Sequence, residues 1–154
     1  MLKTGPGTAD AGASAATALA NNWYFEFTLT PSSSMDIGSI DADWSRGGTS
    51  GNRGWFIRSN VDNYASDLFA VQSPDGTATG FQHVNVELAG FTGLSTATSF
   101  RFYIYTSSTG RYMDFSNVQF NESTVSTVPE PTSLLSTGAL LGIGLLLRRT
   151  RHSL

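Results

Sequence analysis

The sequence predicts an all-β protein: an antiparallel β-sandwich, jelly-roll-like, followed by one short C-terminal transmembrane helix. Three observations predict it. Seven short runs between residues 22 and 120 alternate apolar and polar side chains at period two, the period of a strand. The pieces between them are rich in Gly, Ser, Asn, Asp and Pro, and no helical period of useful length precedes residue 131. Beyond it, the uncharged stretch from Leu134 to Leu147 leads directly into Arg148, Arg149 and Arg151.

Composition narrows the class. The chain has 154 residues, 40% hydrophobic and 12% aromatic, enough for one core. Only 14% are charged and 16 residues are glycine, a balance that favours strands and turns over surface helices. Residues 1–127 carry six basic side chains against eleven acidic ones, whereas residues 128–154 carry three arginines against Glu130. An acidic body does not attract a phosphate backbone, so nucleic acid is not an expected partner. Cysteine is absent, which removes disulfides, thiolate nucleophiles and cysteine metal sites.

The elements follow in order. The leader, residues 1–20, is rich in Ala, Gly and Thr and lacks the apolar run of a secretory signal. It is expected to be a flexible leader or a truncated N-terminus. The sandwich is expected over residues 21–121. "NWYFEFTLT" sets Trp23, Phe25, Phe27 and Leu29 on one face and Tyr24, Glu26 and Thr28 on the other. "SIDADW" sets Ile40, Ala42 and Trp44 against Asp41 and Asp43. "GWFIRS" and "DLFAVQ" supply two more strands, and "QHVNVEL" sets Val84, Val86 and Leu88 against His83, Asn85 and Glu87. "TSFRFYIYT" opposes Phe100, Phe102 and Ile104 to Arg101, Tyr103 and Tyr105. "YMDFSNVQF" begins with Met113 and Phe115 on one parity and resumes with Val118 and Phe120 on the other, which predicts a bulge near Ser116–Asn117. Seven strands leave a jelly-roll one short, and the eighth is expected upstream of the sequence.

The tail divides into a linker at 122–131, a transmembrane helix at 132–147 and a basic cytoplasmic tail at 148–154. Pro129 and Pro131 each lack an N–H and fix φ, so the segment around Glu130 is expected to be extended, with Thr132 or Ser133 capping the helix. As a helix, residues 134–147 span ~21 Å at ~1.5 Å per residue. That is short of the ~30 Å bilayer core, but arginine heads snorkel to lipid headgroups and lengthen the effective span. The run is apolar on every side, with Leu134, Leu135, Leu141, Leu145, Leu146 and Leu147 around Gly138 and Gly142. Those two glycines make a G-x-x-x-G pattern suited to close helix contact. Arg148, Arg149 and Arg151 are the topology anchor, which holds the tail in the cytoplasm and the body on the other side.

"VPEPTS", then an apolar run, then "RRTR" resembles the PEP-CTERM sorting signal of Gram-negative bacteria, with Pro129, Glu130 and Pro131 as its hallmark tripeptide. The resemblance covers about 25 residues. It implies a membrane-embedded processing partner, exosortase, together with export, transient tethering in membrane lipid, removal of the tail, and display at the cell surface or secretion. Members of this family carry an N-terminal signal peptide, which this sequence does not show. "YFEFTLTP", "IRSNVDNYASDL" and "FRFYIY" loosely resemble domains that precede this signal, and imply no defined activity.

Within the body, no residue is expected to be catalytic, and no metal or cofactor is expected. His83 has no second body histidine for a metal cluster or relay. "DADWSRGG" begins like a calcium loop but has Arg46 and Asn52 where a turn glycine and a glutamate belong. A looser cation site from Asp41, Asp43, Asp62 or Asp67 stays open. Asp41 and Asp43, ~6.5–7 Å apart along one strand face, are the only carboxylate pair worth weighing for glycoside hydrolysis. Asn121-Glu122-Ser123 matches a glycosylation triplet. Trp44 and Trp55 are expected in the core. Tyr103 and Tyr105, opposite Phe102 and Ile104, are the expected glycan contacts if the body is a carbohydrate-binding module for exopolysaccharide. The leading expectation is a non-catalytic sandwich of the envelope or extracellular matrix.

Overall fold

A computed structural model describes residues 1–4, 14–74, 76–77, 79–107 and 111–123. All described residues belong to one compact unit, Met1–Thr124. The elements are β1 (Leu2–Thr4), α1 (Ala15–Ala20), β2 (Tyr24–Leu29), β3 (Ile37–Arg46), β4 (Arg53–Ser59), a 3₁₀ turn (Asn60–Asp62), β5 (Phe69–Ser73), β6 (Gln82–Glu87), β7 (Thr98–Thr106) and β8 (Met113–Glu122). Each of the seven expected alternating runs supplies one strand, β2 to β8.

The strands make two antiparallel four-stranded sheets, in the orders β1-β8-β3-β6 and β2-β7-β4-β5. Only β4 and β5 are successive strands of one sheet; every other connection passes between the sheets. The inward faces share one core of Ile37, Ile40, Trp44, Val86, Met113 and Phe115 from one sheet and Trp55, Ile57, Phe100, Phe102 and Ile104 from the other. Trp55 is fully buried at its centre. Its ring lies parallel to Phe102 at 5.9 Å and meets Phe115 edge-on at 5.1 Å, so one indole joins both sheets. Such offset and edge contacts add to the area term that makes aromatic burial the main source of core stability.

The bulge forms where the parity switch places it. Asp41 pairs with Gln119 and Asp43 with Ser116, so β8 carries one extra residue there, and Asn117 takes φ 51°. The extra residue returns Phe120 to the interior, against Phe27 and Phe100.

Two elements lie within the leader. β1 pairs antiparallel with β8 over Met113–Phe115 and is the eighth strand, and α1 docks on the second sheet. Three residues are too few to display alternation. "AATALA" has strong helix propensity but no polar face to give a period. Ser14 caps α1 by accepting from the Thr17 amide at 3.4 Å.

Arg46 closes one end of the sandwich. It ends β3 on the inward parity and is 2% exposed. Its Nε donates to the Gly48 carbonyl at 2.9 Å; Nη2 donates to Thr49 at 2.9 Å and Gly51 at 2.5 Å; Nη1 donates to the Ser73 hydroxyl at 3.1 Å and to the Pro74 carbonyl. Gly48 and Gly51 hold positive φ of 91° and 82°, which turns these carbonyls inward. Arg53, also buried, donates to Ser50 at 2.9 Å and Tyr112 at 3.0 Å.

No helix among the described residues is long and apolar enough to cross a membrane. The expected span at 132–147 lies outside the described residues, as do the sorting tripeptide and the arginines after it.

Replacing Arg46 with Met removes every donor, leaving the buried Ser73 without its guanidinium partner, at ~1–3 kcal/mol for a buried group left unpaired, while the carbonyls of the exposed Gly48, Thr49 and Pro74 can turn to water. The expected outcome is a loss of ~1–3 kcal/mol in urea unfolding, with Arg46→Lys intermediate because it offers three donors in place of five.

Candidate functional site

The outward face of the β1-β8-β3-β6 sheet carries the densest cluster of chemistry-bearing side chains in the described body. Strand β3 is central, and its outward residues Ser39, Asp41 and Asp43 face partners on both sides. On the β6 side Asp41 pairs with Asn85 and Asp43 with His83; on the β8 side the bulge brings Asn117 and Asn121 within reach. Asn85 donates to Asp41 Oδ1 at 2.8 Å and Asn121 to Asp41 Oδ2 at 2.5 Å. Asn117 donates to Asp43 Oδ2 at 2.6 Å. The exposed His83 ring bridges both carboxylates, with Nδ1 2.9 Å from Asp43 and Nε2 3.4 Å from Asp41. Asn121 also donates to the Ser39 hydroxyl at 3.0 Å.

This arrangement satisfies the carboxylates rather than arming them. The Asn85 amide, with Asn121 after it, holds the Asp41 carboxyl below its ordinary value of 3.8. The Asn117 amide, with His83 after it, does the same for Asp43. A general acid in a two-carboxylate hydrolase needs the opposite shift, produced by an apolar or like-charged setting. Among the described residues, no three His, Cys, Asp or Glu side chains are placed to hold a metal ion. The four aspartates weighed for a looser cation site are not brought together. Asp62 instead accepts from the Ala65 and Ser66 amides, and Asp67 pairs with Arg58 at 2.5 Å.

The outward face of the second sheet differs from expectation. Tyr103 and Tyr105 were expected to be open to a sugar; they are 3% and 5% exposed. Helix α1 covers them: Ala18, itself fully buried, packs with Phe56, Tyr103 and Tyr105, and Ala15, Leu19 and Tyr24 surround this second cluster. Tyr103 stacks on Phe56 at 4.9 Å and 5°. Tyr105 lies across Gly54, where an added Cβ would sit 2.2 Å from the phenol oxygen and 2.6 Å from the Val71 carbonyl. Burial pushes the Tyr105 phenol above its ordinary value.

Farther along the same face Arg101 pairs with Glu26 at 2.7 Å, with its guanidinium 4.4 Å from the Tyr24 ring centre and 3.8 Å from that of Tyr64. Tyr64 and the preceding Asn63 both take left-handed φ, near 60°. The Asn63–Tyr64 pair carried no sequence signal beyond its turn composition.

Of the other sequence candidates, Trp44 and Trp55 lie in the core. Pro129, Glu130, Pro131, the residues from Leu134 to Leu147, and Arg148, Arg149 and Arg151 lie outside the described residues.

No family model matches the chain, and no curated relative was found. Among solved structures, an arabinose-bound α-L-arabinofuranosidase is similar at 16% identity and a TM-score of 0.36. The match covers 64% of this chain and 19% of that one, so the chain spans a small part of that enzyme's length.

Two measurements follow. A carboxylate with a lowered folded-state value stabilises the fold above its unfolded value and loses that contribution as the pH falls through the folded one. Stability is therefore expected to decline as the pH drops from 3.8 downward. Thermal melts of an Asp41→Asn plus Asp43→Asn double variant should show a shallower decline over that acid range. Separately, Gly54→Ala forces a Cβ against Tyr105 and the Val71 carbonyl, and urea unfolding should record a cost of ~1–3 kcal/mol.

Proposed function

We propose that this chain is an exported surface or secreted protein, with a jelly-roll-like, non-catalytic β-sandwich delivered by its own C-terminal sorting signal. The observation that carries the reading is the ordered series after the body: Pro129, Glu130 and Pro131, then the uncharged run Leu134 to Leu147, then Arg148, Arg149 and Arg151. Lipid is the natural solvent for a run apolar on all sides, and the arginines fix its cytoplasmic end. The extended, proline-flanked Glu130 segment is then a substrate shape for a membrane-embedded processing enzyme of the exosortase kind. Release leaves the sandwich in the envelope or extracellular matrix.

The body's own chemistry supports a non-catalytic role. Its two neighbouring carboxylates are held ionised by asparagine amides, so neither is prepared to donate a proton.

Expression from its own gene in its own cell, with Pro129, Glu130 and Pro131 changed to Ala, tests the reading. The expected result is an uncut chain retained in the membrane fraction, with full-length mass by mass spectrometry, while the parent chain ends near the tripeptide. An identical mature C-terminus and identical distribution for both would overturn it.

A further inference from the structure

We propose a binding site for a neutral saccharide unit in a recess on the outward face of β4 and β5, beside helix α1. Register creates the recess. Across the sheet, Tyr105, Gly54 and Gln72 occupy one row, and Tyr103, Phe56 and Ala70 the next. Large rings fill the β7 and β4 positions under α1. Tyr105 lies across Gly54, and the small, exposed Ala70 follows on the edge strand, where the surface steps down. A cavity of about 380 Å³ results, lined by Ala15, Phe56, Asp67, Ala70, Gln72 and Tyr105. A second cavity, of about 270 Å³, shares Gln72 and Tyr105 with it and extends to Asn52 and Pro74. The first volume lies at the lower end of the ~300–1,000 Å³ typical of small-ligand sites and the second just below it, the scale of one or two rings.

The lining selects the ligand class. Gln72 and Asn52 carry amide groups on exposed residues, and Gln72 hydrogen-bonds the largely buried Tyr105 phenol, so the pair presents the outer side of the Gln72 amide to the recess. Burial raises the phenol, so it keeps its proton at neutral pH. Ala15, Phe56 and Ala70 supply apolar surface beside these groups, which matches a ring with hydroxyls at its rim and C–H groups on its face. The charges argue against an ion. Asp67 opposes an anion in the wall of the recess, and its own charge is met by Arg58 at 2.5 Å. The Arg53 guanidinium is turned to the Ser50 and Tyr112 carbonyls. An extended peptide would instead add to the main-chain edge of β5, whereas the recess lies on the sheet face.

The sorting proposal does not depend on this site, nor the site on it. The test is amide NMR of the full-length ¹⁵N-labelled chain in a sugar-free zwitterionic detergent. The probes are glucose, galactose, xylose, N-acetylglucosamine and their neutral trisaccharides, with inorganic phosphate and triglycine as controls. Saturable shifts at Asp67, Ala70, Gln72 and Asn52 with at least one neutral saccharide, and with neither control, are expected. Gln72→Ala and Ala70→Trp should each weaken that binding at least about tenfold, a change of ~1.4 kcal/mol. Gln72→Ala is a truncation at an exposed position of the edge strand, so the test survives if the larger tryptophan disturbs the sheet. No saturable shift with any saccharide, shifts centred on the Asp41–Asn85 face, or equal response to phosphate or triglycine would overturn the proposal. Processing of the C-terminus is unaffected by either variant, so failure here leaves the sorting reading intact.

Discussion

The structure depends on β4 and β7 being covered on both faces. A strand offers alternate residues to opposite sides, and in most sandwiches only the inward set is buried. Here the inward set of β4 and β7 builds the shared core around Trp55 and Phe102, while the outward set, Phe56, Tyr103 and Tyr105, is roofed by α1. Six helical residues suffice because the roof sits on rings rather than on polar side chains, and Ala18 lets it approach closely enough to be fully buried. The remaining features of that sheet follow. Where the roof ends toward β2, Arg101 and Glu26 cover Tyr24 with charge. Where it ends toward β5, Ala70 and Gln72 leave the step that forms the recess.

The other sheet solves the same problem with hydrogen bonds. No helix covers its outward face among the described residues, so β3 carries polar residues there, and cross-strand partners satisfy them. The two aspartates would repel each other along β3. Asn85, Asn117, Asn121 and His83 supply the donors that keep both charges tolerable. The bulge contributes directly, because the insertion in β8 brings the Asn117 amide within reach of Asp43 while returning Phe120 to the core.

This division explains what the sequence could and could not reveal. Alternation located β2 to β8 and even the bulge, since Val118 and Phe120 break the parity of Met113 and Phe115. It grouped His83 with Asn85 and Glu87 correctly, because a single polar face is all that β6 presents. It failed at Tyr103 and Tyr105 because alternation reports which side a residue faces and not what lies on that side. A tyrosine on the outward parity reads the same under a helix as in water, and the helix itself, "AATALA", has no polar stripe to announce it. β1 was too short to register. Arg46 was invisible for a different reason: an arginine on the inward parity at a strand end looks like the start of a loop, and only the surrounding carbonyls show that it belongs inside.

Burying two guanidiniums at one end of a small sandwich is costly, since an ion leaves water only where other dipoles replace it. A carboxylate partner would fix one contact. A set of main-chain carbonyls fixes a whole loop, because the planar guanidinium donates along five directions that a fork of this shape alone can reach. Arg46 thereby ties residues 48–51, which leave β3, to residues 73 and 74, which leave β5. Arg53 ties the same loop to Tyr112 at the entry to β8. Three interstrand connections are thus held by two side chains. The arrangement suits a chain with only 14% charged residues and no cysteine: with few ion pairs among the described residues and no disulfides, it restrains these loops with its own backbone. It also sets the position of β5, whose outward residues Ala70 and Gln72 border the recess, so the geometry of that surface is inherited from a buried cation on the opposite side of the strand.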